Sequence, residues 1–156
     1  MKNLQKIAVL LLTVFMFSCG SSGDEPTGGD AFLTADVAGA SFASMKASVG
    51  ATETNGVLAV QGSTANGDYI RLNIFSYNGA GTYVTGDAIT NTNSLMYGTI
   101  TPSVAAWTST FNIGQGTIRI TEDTATHVKG TFSFSGFNAA AGTNKQVSSG
   151  EFSAPK

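Results

Sequence analysis

Alternation between apolar side chains and polar or aromatic ones constrains this chain most, because it recurs in several strand-length segments. In residues 68–76, Ile70, Leu72 and Ile74 share one parity. The other parity carries polar and aromatic side chains: Tyr69, Arg71, Asn73 and Phe75. Successive side chains of a β-strand point to opposite faces, so this segment predicts a strand with one face toward a core.

Two later segments alternate in the same way and predict a hairpin. Ile118 and Ile120 share a face within residues 116–121, and Phe132 and Phe134 share a face within residues 131–135. The short polar loop 122–126 joins them, which indicates a β-hairpin. Further strands are predicted at residues 31–37, 41–49, 57–62, 81–85, 95–101, 108–113 and 146–153.

Turn residues separate these predicted strands. Asn-Gly pairs occupy positions 55–56, 66–67 and 78–79, where both residue types tolerate positive φ, and Ala38-Gly39 predicts another turn. No segment has the spacing of an amphipathic helix, and the many Thr, Val, Ile and aromatic residues favour strands. The sequence therefore predicts an all-β domain, an antiparallel meander of about 9–10 strands forming a β-sandwich or a flattened barrel.

The start of the chain predicts export. Lys2 and Lys6 precede an apolar run at residues 7–17, which is shorter than the roughly 20 residues that a membrane-spanning helix needs. The small residue Ser18 follows, directly before Cys19. We expect a helical signal peptide over residues 1–18, cleaved between Ser18 and Cys19.

Cys19 is the single cysteine of the chain, so it has no partner for an internal disulfide. A leftover thiol is unusual in the oxidising compartments outside the cytoplasm. The sequence Phe17-Ser18-Cys19 resembles bacterial lipoprotein signals, with Met16 where most of them have Leu. That resemblance implies lipid attachment to Cys19 and hence membrane anchoring. The alternative is a chance cysteine in a discarded signal.

The residues after Cys19 predict a tether and then one domain. Residues 19–30 are rich in Gly, Ser and acidic residues and should form a flexible tether. Residues 31–156, roughly 125 in number, have the size of a single domain. In many lipoprotein systems an Asp directly after the lipidated cysteine marks retention in the inner membrane. Gly20 follows Cys19 here, which favours delivery to the outer membrane. The Asp24-Glu25 pair loosely resembles the acidic signal that sends Bacteroidota lipoproteins to the cell surface, so we expect a lipid-anchored protein facing either the surface or the periplasm.

Charge limits the partners. Loss of Lys2 and Lys6 with the signal would leave six basic residues against ten acidic ones, a net charge near −4. Nucleic-acid binding needs a basic patch, so the composition argues against it.

Several short stretches, in order, resemble one protein family. They are residues 32–43 (FLTADVAGASFA), 81–83 (GTY), 116–121 (GTIRIT), 128–134 (VKGTFSF) and 149–152 (SGEF). Together they resemble the DUF6252-like group of small Bacteroidota lipoproteins of unknown function. The resemblance implies an exported β domain and supplies no activity or site residues.

The sequence shows no catalytic constellation. His127 is the sole histidine, and we expect it to be an exposed residue beside the hairpin loop. A triad needs a nucleophile, a base and an orienting group, and a zinc site needs several ligands, so we predict no catalytic residues, no metal and no cofactor. Glu122 and Asp123 are adjacent and are expected to solvate the turn.

Aromatic residues outside the alternating core are the remaining candidates for a site. Tyr69, Phe75 and Tyr77 share the parity opposite to Ile70, and Trp107 lies among small residues. They either bury a second sheet face or line a platform for a sugar, peptide or other small ligand. Three functions follow, in order of preference: a binding module for a small ligand, glycan or envelope protein; a structural or adhesin-like surface component; and a hydrolase that uses His127.

Overall fold

The fold is almost entirely β-structure. The structure, a computed structural model, describes residues 30–156; the predicted signal peptide, Cys19 and all but the last residue of the predicted tether lie outside the described residues. The part described contains no α-helix and one 3-10 turn at Lys46–Ser48. The strands are β1 (Phe32–Val37), β2 (Ala40–Ala43), β3 (Gly50–Thr54), β4 (Val57–Ser63), β5 (Tyr69–Phe75), β6 (Gly81–Thr85), β7 (Ser94–Thr99), β8 (Ala105–Thr110), β9 (Gln115–Asp123), β10 (His127–Asn138) and β11 (Thr143–Pro155).

All strand pairs are antiparallel, and they form one curled half-barrel sheet. Nine strands follow the order β2-β1-β11-β10-β8-β7-β5-β4-β3, while β9 pairs with β10 and β6 pairs with β9. The sheet branches at strand β10. One edge of β10 pairs with β11, and its other edge pairs with β9 along one part and with β8 along another. Its residues Val128–Ser135 pair with β9, and Phe137 then pairs with Thr108 of β8. The predicted all-β antiparallel fold class is confirmed.

The hairpin predicted from the sequence is confirmed, and so are the turns at 38–39, 55–56 and 66–67, whereas the chain only bends at Gly79. Ile118 pairs with Phe132, and the pairing continues to Glu122 and Asp123, so the loop is shorter than predicted. Asn55 and Gly56 have φ of 53° and 72°, the left-handed values that a tight hairpin between β3 and β4 requires.

The predicted strand 41–49 is wrong, because the chain turns a corner there. Strand β2 ends at Ala43, and β3 begins at Gly50. Between them, the Leu33 amide donates to Ser44 Oγ at 3.0 Å and the Met45 amide donates to the Ser63 carbonyl at 2.8 Å. These bonds tie the two ends of the strand order together, since β2 and β3 are its terminal strands.

The predicted strand 108–113 is displaced toward the N-terminus. Strand β8 ends at Thr110, and Phe111 has φ of 51°, which stops an extended strand. Thr110 and Ile113 exchange backbone hydrogen bonds of 2.9 and 2.8 Å across the tight turn that follows.

The core is the inner face of the curled sheet. Every side chain predicted to face inward is at most 4 % exposed: Ile70, Leu72, Ile74, Ile118, Ile120, Phe132 and Phe134. Removal of a buried side chain of this size destabilises a protein by about 2–5 kcal/mol, so this face contributes most of the stability. Within residues 30–156, no helix has the length and apolar character needed to cross a bilayer.

Candidate functional site

Three aromatic side chains meet at one end of the half-barrel. Tyr97 of β7 and Trp107 of β8 are register partners, and their rings stack with centroids 5.8 Å apart. Phe42 of β2 approaches Tyr97 edge-on, with centroids 6.3 Å apart. Directly opposed residues of neighbouring strands share a face, so the pairing register itself assembles this stack.

Lys145 covers the stack. It lies on β11, and its ammonium nitrogen is 4.0 Å from the Trp107 ring centroid and 5.2 Å from that of Tyr97. It reaches Trp107 across β10, where its register partner Gly136 has no side chain. A Cβ at Gly136 would lie 2.7 Å from the Trp107 backbone, so glycine is needed for this approach. No carboxylate of the described residues lies within ion-pair distance of Lys145.

An acidic residue completes this end. The Tyr97 hydroxyl donates to Asp68 Oδ2 at 3.2 Å. Burial, followed by the Asp68 charge, raises the pKa of Tyr97 to about 12. Two buried oxygens, Asp68 Oδ1 and Thr64 Oγ1, have no hydrogen-bond partner among residues 30–156. Buried polar atoms are nearly always paired, so these two mark a place where a further donor or hydroxyl fits.

Apart from Trp107 and Gly136, these residues line one cavity of about 280 Å³, which we call the Lys145 site. Its wall includes Ser41, Phe42, Thr64, Asp68, Tyr97 and Lys145. A cation and a carboxylate therefore face the same small space without pairing to each other. Small-molecule sites commonly combine such an apolar wall with a few polar groups that converge.

The four aromatic residues predicted from the sequence lie in different places. Trp107 belongs to the stack beside the Lys145 site. Tyr69 and Phe75 lie on the outer face of β5, where Phe75 is 43 % exposed. Tyr77 is buried at the opposite end of the molecule, because the alternation ends with β5 and Ser76 has φ of 54°.

Tyr77 lies beside a second charged cluster at that opposite end. Lys156 Nζ lies 2.6 Å from Glu53 Oε2 and also contacts Asp123 Oδ1, and it lies 6.0 Å from the Tyr77 ring centroid. Burial lowers the pKa of Lys156, but hydrogen bonds and attraction from the two carboxylates outweigh it and raise the pKa overall. Burial and the Asp123 carboxylate also raise the pKa of Tyr77. Because Glu53 is on β3 and Asp123 is on β9, Lys156 joins two parts of the sheet that do not pair.

The expectation that His127 is exposed is wrong. Its side chain is 4 % exposed, and Nε2 lies 2.8 Å from Ser153 Oγ, which is itself on a buried residue. Nδ1 is buried without a hydrogen-bond partner in the described part of the chain. Among the residues that the structure describes, the imidazole thus meets a hydroxyl but no orienting carboxylate, and the pair is closed to solvent. The hydrolase hypothesis gains no support from this geometry.

The adjacent carboxylates Glu122 and Asp123 are separated by the strand that carries them. Glu122 pairs with Lys129 at 2.9 Å, whereas Asp123 pairs with Lys156. In the range 30–156, no three His, Cys, Asp or Glu residues converge in a way that could hold a metal ion.

Sequence reasoning identified Trp107 but missed Phe42, Asp68, Tyr97 and Lys145. Tyr97 falls inside a predicted strand and is read from sequence as an ordinary core residue. Lys145 offered a weak signal, since it is the only basic residue between Lys129 and Lys156. Their convergence depends on β8 pairing with β10, which no local pattern indicates.

Comparison with known proteins identifies one family. A family model described as a domain of unknown function, DUF6252, matches residues 30–154. Searches of curated proteins and of solved structures gave no match.

Proposed function

This chain belongs to the DUF6252 family, whose function is unknown, and from its own residues we propose that it is a non-catalytic binding module of the cell envelope. Its ligand is a small polar molecule that accepts a hydrogen bond from Lys145 and donates one to Asp68. The observation that carries this proposal is the pair of opposite, mutually unpaired charges in one cavity.

The chemistry of the Lys145 site supports a small ligand rather than a reaction. Phe42 and Tyr97 supply an apolar wall, and Lys145 is held above Tyr97 and Trp107 by cation–π attraction, worth about 0.5–1 kcal/mol at exposed sites. That attraction is weak enough for a ligand anion or hydroxyl to compete for the ammonium group. The cavity of about 280 Å³ is slightly below the usual lower bound of roughly 300 Å³ for ligand sites, which favours a ligand the size of an amino acid or a monosaccharide.

The test is a thermal-shift screen of the full-length protein, purified in mild detergent, against free amino acids and monosaccharides. We expect at least one compound to raise Tm of the wild type and to lose this effect in Lys145→Gln. The matched control is Lys129→Gln, which removes the same charge from the outer face of β10 and should respond like the wild type. A compound that stabilises all three proteins equally would place binding elsewhere, and a screen without any hit would contradict the proposal.

We further propose that the protein is exported and anchored in the outer membrane by lipid on Cys19. Two lysines and an apolar run within residues 2–17, followed by Ser18 and Cys19, support this location. Labelling with radioactive palmitate should mark the wild type and not Cys19→Ala, which should also leave the membrane fraction. Label retained on Cys19→Ala would show the anchor assignment to be wrong, and protease treatment of intact cells distinguishes the surface from the periplasm.

One observation favours the second candidate function, a structural role with an envelope protein as partner. Ile89, Phe111 and Ile113 are 73 %, 42 % and 43 % exposed. The loops that carry them are joined by two hydrogen bonds to the Phe111 backbone, and the φ of 51° is unusual for a bulky residue. A photo-crosslinking residue at position 89 should capture a partner that the same residue at Thr82 does not; equal capture would remove this candidate.

A further inference from the structure

The outer face of β3, β4, β5, β7 and β8 forms a second surface, independent of the Lys145 site. One row of register partners crosses all five strands: Gly50, Gln61, Arg71, Met96 and Thr108. The next row on one side is Ser63, Tyr69, Gly98 and Ala106, and on the other side it is Thr52, Ala59, Asn73, Ser94 and Thr110. Tyr69 and Asn73 of β5 therefore stand among short side chains, whereas Arg71 is flanked by Gln61 and Met96.

The difference in side-chain height produces two adjoining depressions. One, of about 300 Å³, lies along β3 and β4 as far as Asn73, and the other, of about 410 Å³, extends past Tyr69 to Ile100. Gln61 and Arg71 line both, so the two depressions form one groove that runs along β4 and β5, which we call the Arg71 groove.

Arg71 gives this groove its charge. Among residues 30–156, it is the only charged residue that lines either depression. Its guanidinium donates to Gln61 Oε1 at 3.2 Å, and no carboxylate of the described chain pairs with it. Four of its five donors lack a partner within residues 30–156, so an exposed guanidinium is held in place by a neutral neighbour and remains available to an anion.

Tyr69 gives the groove an aromatic surface held in one orientation. Its ring lies over Gly98, where a Cβ would overlap it, and its hydroxyl contacts Met96 Sδ at 3.6 Å. Neighbouring Asn73 donates to Ser94 Oγ at 3.0 Å and keeps its carbonyl oxygen as an acceptor. Tyr69, Arg71 and Asn73 thus follow one another along the outer face of β5 over roughly 13 Å, and Gln61 of β4 lies beside Arg71.

A peptide fits this surface poorly. Peptides add to sheet edges through backbone hydrogen bonds, and the backbone groups of β4, β5 and β7 are already paired on both sides. Within β4, β5 and β7 only side chains are offered, and their polar groups are hydroxyl, amide, phenol and guanidinium groups. Such groups match a ligand with many hydroxyls, and the unpaired Arg71 selects one that carries negative charge.

We propose that the Arg71 groove binds an anionic oligosaccharide. Its carboxylate or sulfate lies on Arg71, its hydroxyls bond to Gln61 and Asn73, and one sugar ring packs against Tyr69. The ligand is extended and lies on the outer face, whereas the ligand of the Lys145 site is small and lies at one end of the half-barrel, so each proposal stands without the other.

The test is isothermal titration of the full-length protein in mild detergent with three probes: tetragalacturonate, a heparin tetrasaccharide and neutral maltotetraose. We expect at least one anionic probe to bind at least about tenfold more tightly than maltotetraose, and its affinity to fall as salt rises. The two anionic arms distinguish a uronate from a sulfated glycan. Equal binding of the neutral and anionic probes, or no binding at millimolar concentration, overturns the proposal.

Variants locate the binding. Arg71→Gln should weaken the affinity for the anionic probe by about tenfold or more, because a charge-assisted hydrogen bond is lost. Arg71→Lys keeps the charge without the planar fork and should give an intermediate loss, which separates recognition from a folding defect. The matched control is Arg119→Gln, which removes an arginine from exposed β9, and Lys145→Gln reports on the other site. Equal losses in Arg71→Gln and Arg119→Gln would show non-specific attraction and overturn the proposal.

Discussion

The two ends of the half-barrel each hold one lysine beside tyrosine rings, and they use it differently. Lys156 contacts two carboxylates, Glu53 and Asp123, and lies 6.0 Å from Tyr77. Lys145 lies 4.0 Å from the Trp107 ring, and no carboxylate of the described residues pairs with it. The same charged group is therefore neutralised at one end and left available at the other.

This difference distinguishes a structural contact from the proposed binding site. Lys156 is 14 % exposed at its side chain and connects β3 to β9, so its partners are fixed by the fold. Lys145 has an aromatic support that positions the ammonium without neutralising it. The carboxylate at its end, Asp68, accepts from Tyr97 instead, which leaves both charges to a ligand.

The largest effect on stability is expected from Trp107→Ala. Trp107 packs against the core and carries both the Tyr97 stack and Lys145, so its loss should destabilise the protein by about 3 kcal/mol, the lower end for a large aromatic residue. Guanidinium unfolding measures this value. Phe75→Ala, on the exposed outer face, is the control and should lose less than about 1 kcal/mol; equal losses would mean that the stack is not a packed unit.

Lys156→Met should have the next largest effect. It leaves the Asp123 carboxylate, 20 % exposed, without its cation, and partly buried ion pairs of this kind are worth about 1–2 kcal/mol. The loss should shrink in 1 M salt because the wild-type ion pairs are screened there, whereas any packing defect from the substitution would persist. A loss that is independent of salt would show that the lysine stem, not its charge, stabilises this end.

Alkaline pH should destabilise both ends, and Tyr97→Phe separates them. Burial and Asp68 raise the folded pKa of Tyr97 from 10.0 to about 12, so the unfolded chain loses this proton first. The stability it contributes is complete below pH 10 and is lost as pH rises toward 12. The pKa of Lys156 is also raised, so the stability that its charge contributes is likewise lost as pH rises above the ordinary value of 10.5. In unfolding measured from pH 9 to 12, Tyr97→Phe should flatten the decline; an unchanged slope would assign it to the Lys156 end alone.

The fold was predictable because its signals are local. Alternation in residues 68–76 and 116–121 and the Asn55-Gly56 turn each describe one strand or one hairpin, and each is confirmed. Where residues 41–49 were expected to be one strand, hydrogen bonds to Leu33 and Ser63, distant in sequence, bend the chain instead. Propensity carries no information on such contacts.

The candidate sites were only partly predictable, because they depend on which strands pair. Trp107 and Tyr69 were recognised as aromatics outside the alternating core, yet they lie on different surfaces. The alternation along β5 predicted that Tyr77 faces outward, but Tyr77 is buried. The alternation applies only within a strand, and β5 ends at Phe75. Lys145 reaches Trp107 only because β8 and β11 flank β10, an arrangement set by the whole sheet.

The smallest effect on stability is expected from Lys145→Gln, and it tests the difference between the two ends most directly. Cation–π contact at a partly exposed position is worth about 0.5–1 kcal/mol, so the loss should be below that of Lys156→Met. A double-mutant cycle with Trp107→Phe should give a coupling of about 0.5 kcal/mol between the two side chains, and the same cycle with Lys129→Gln should give none. If Lys145→Gln destabilised the protein as much as Lys156→Met, its ammonium group would be needed for folding. It would then be unavailable to a ligand, and the two ends would be alike.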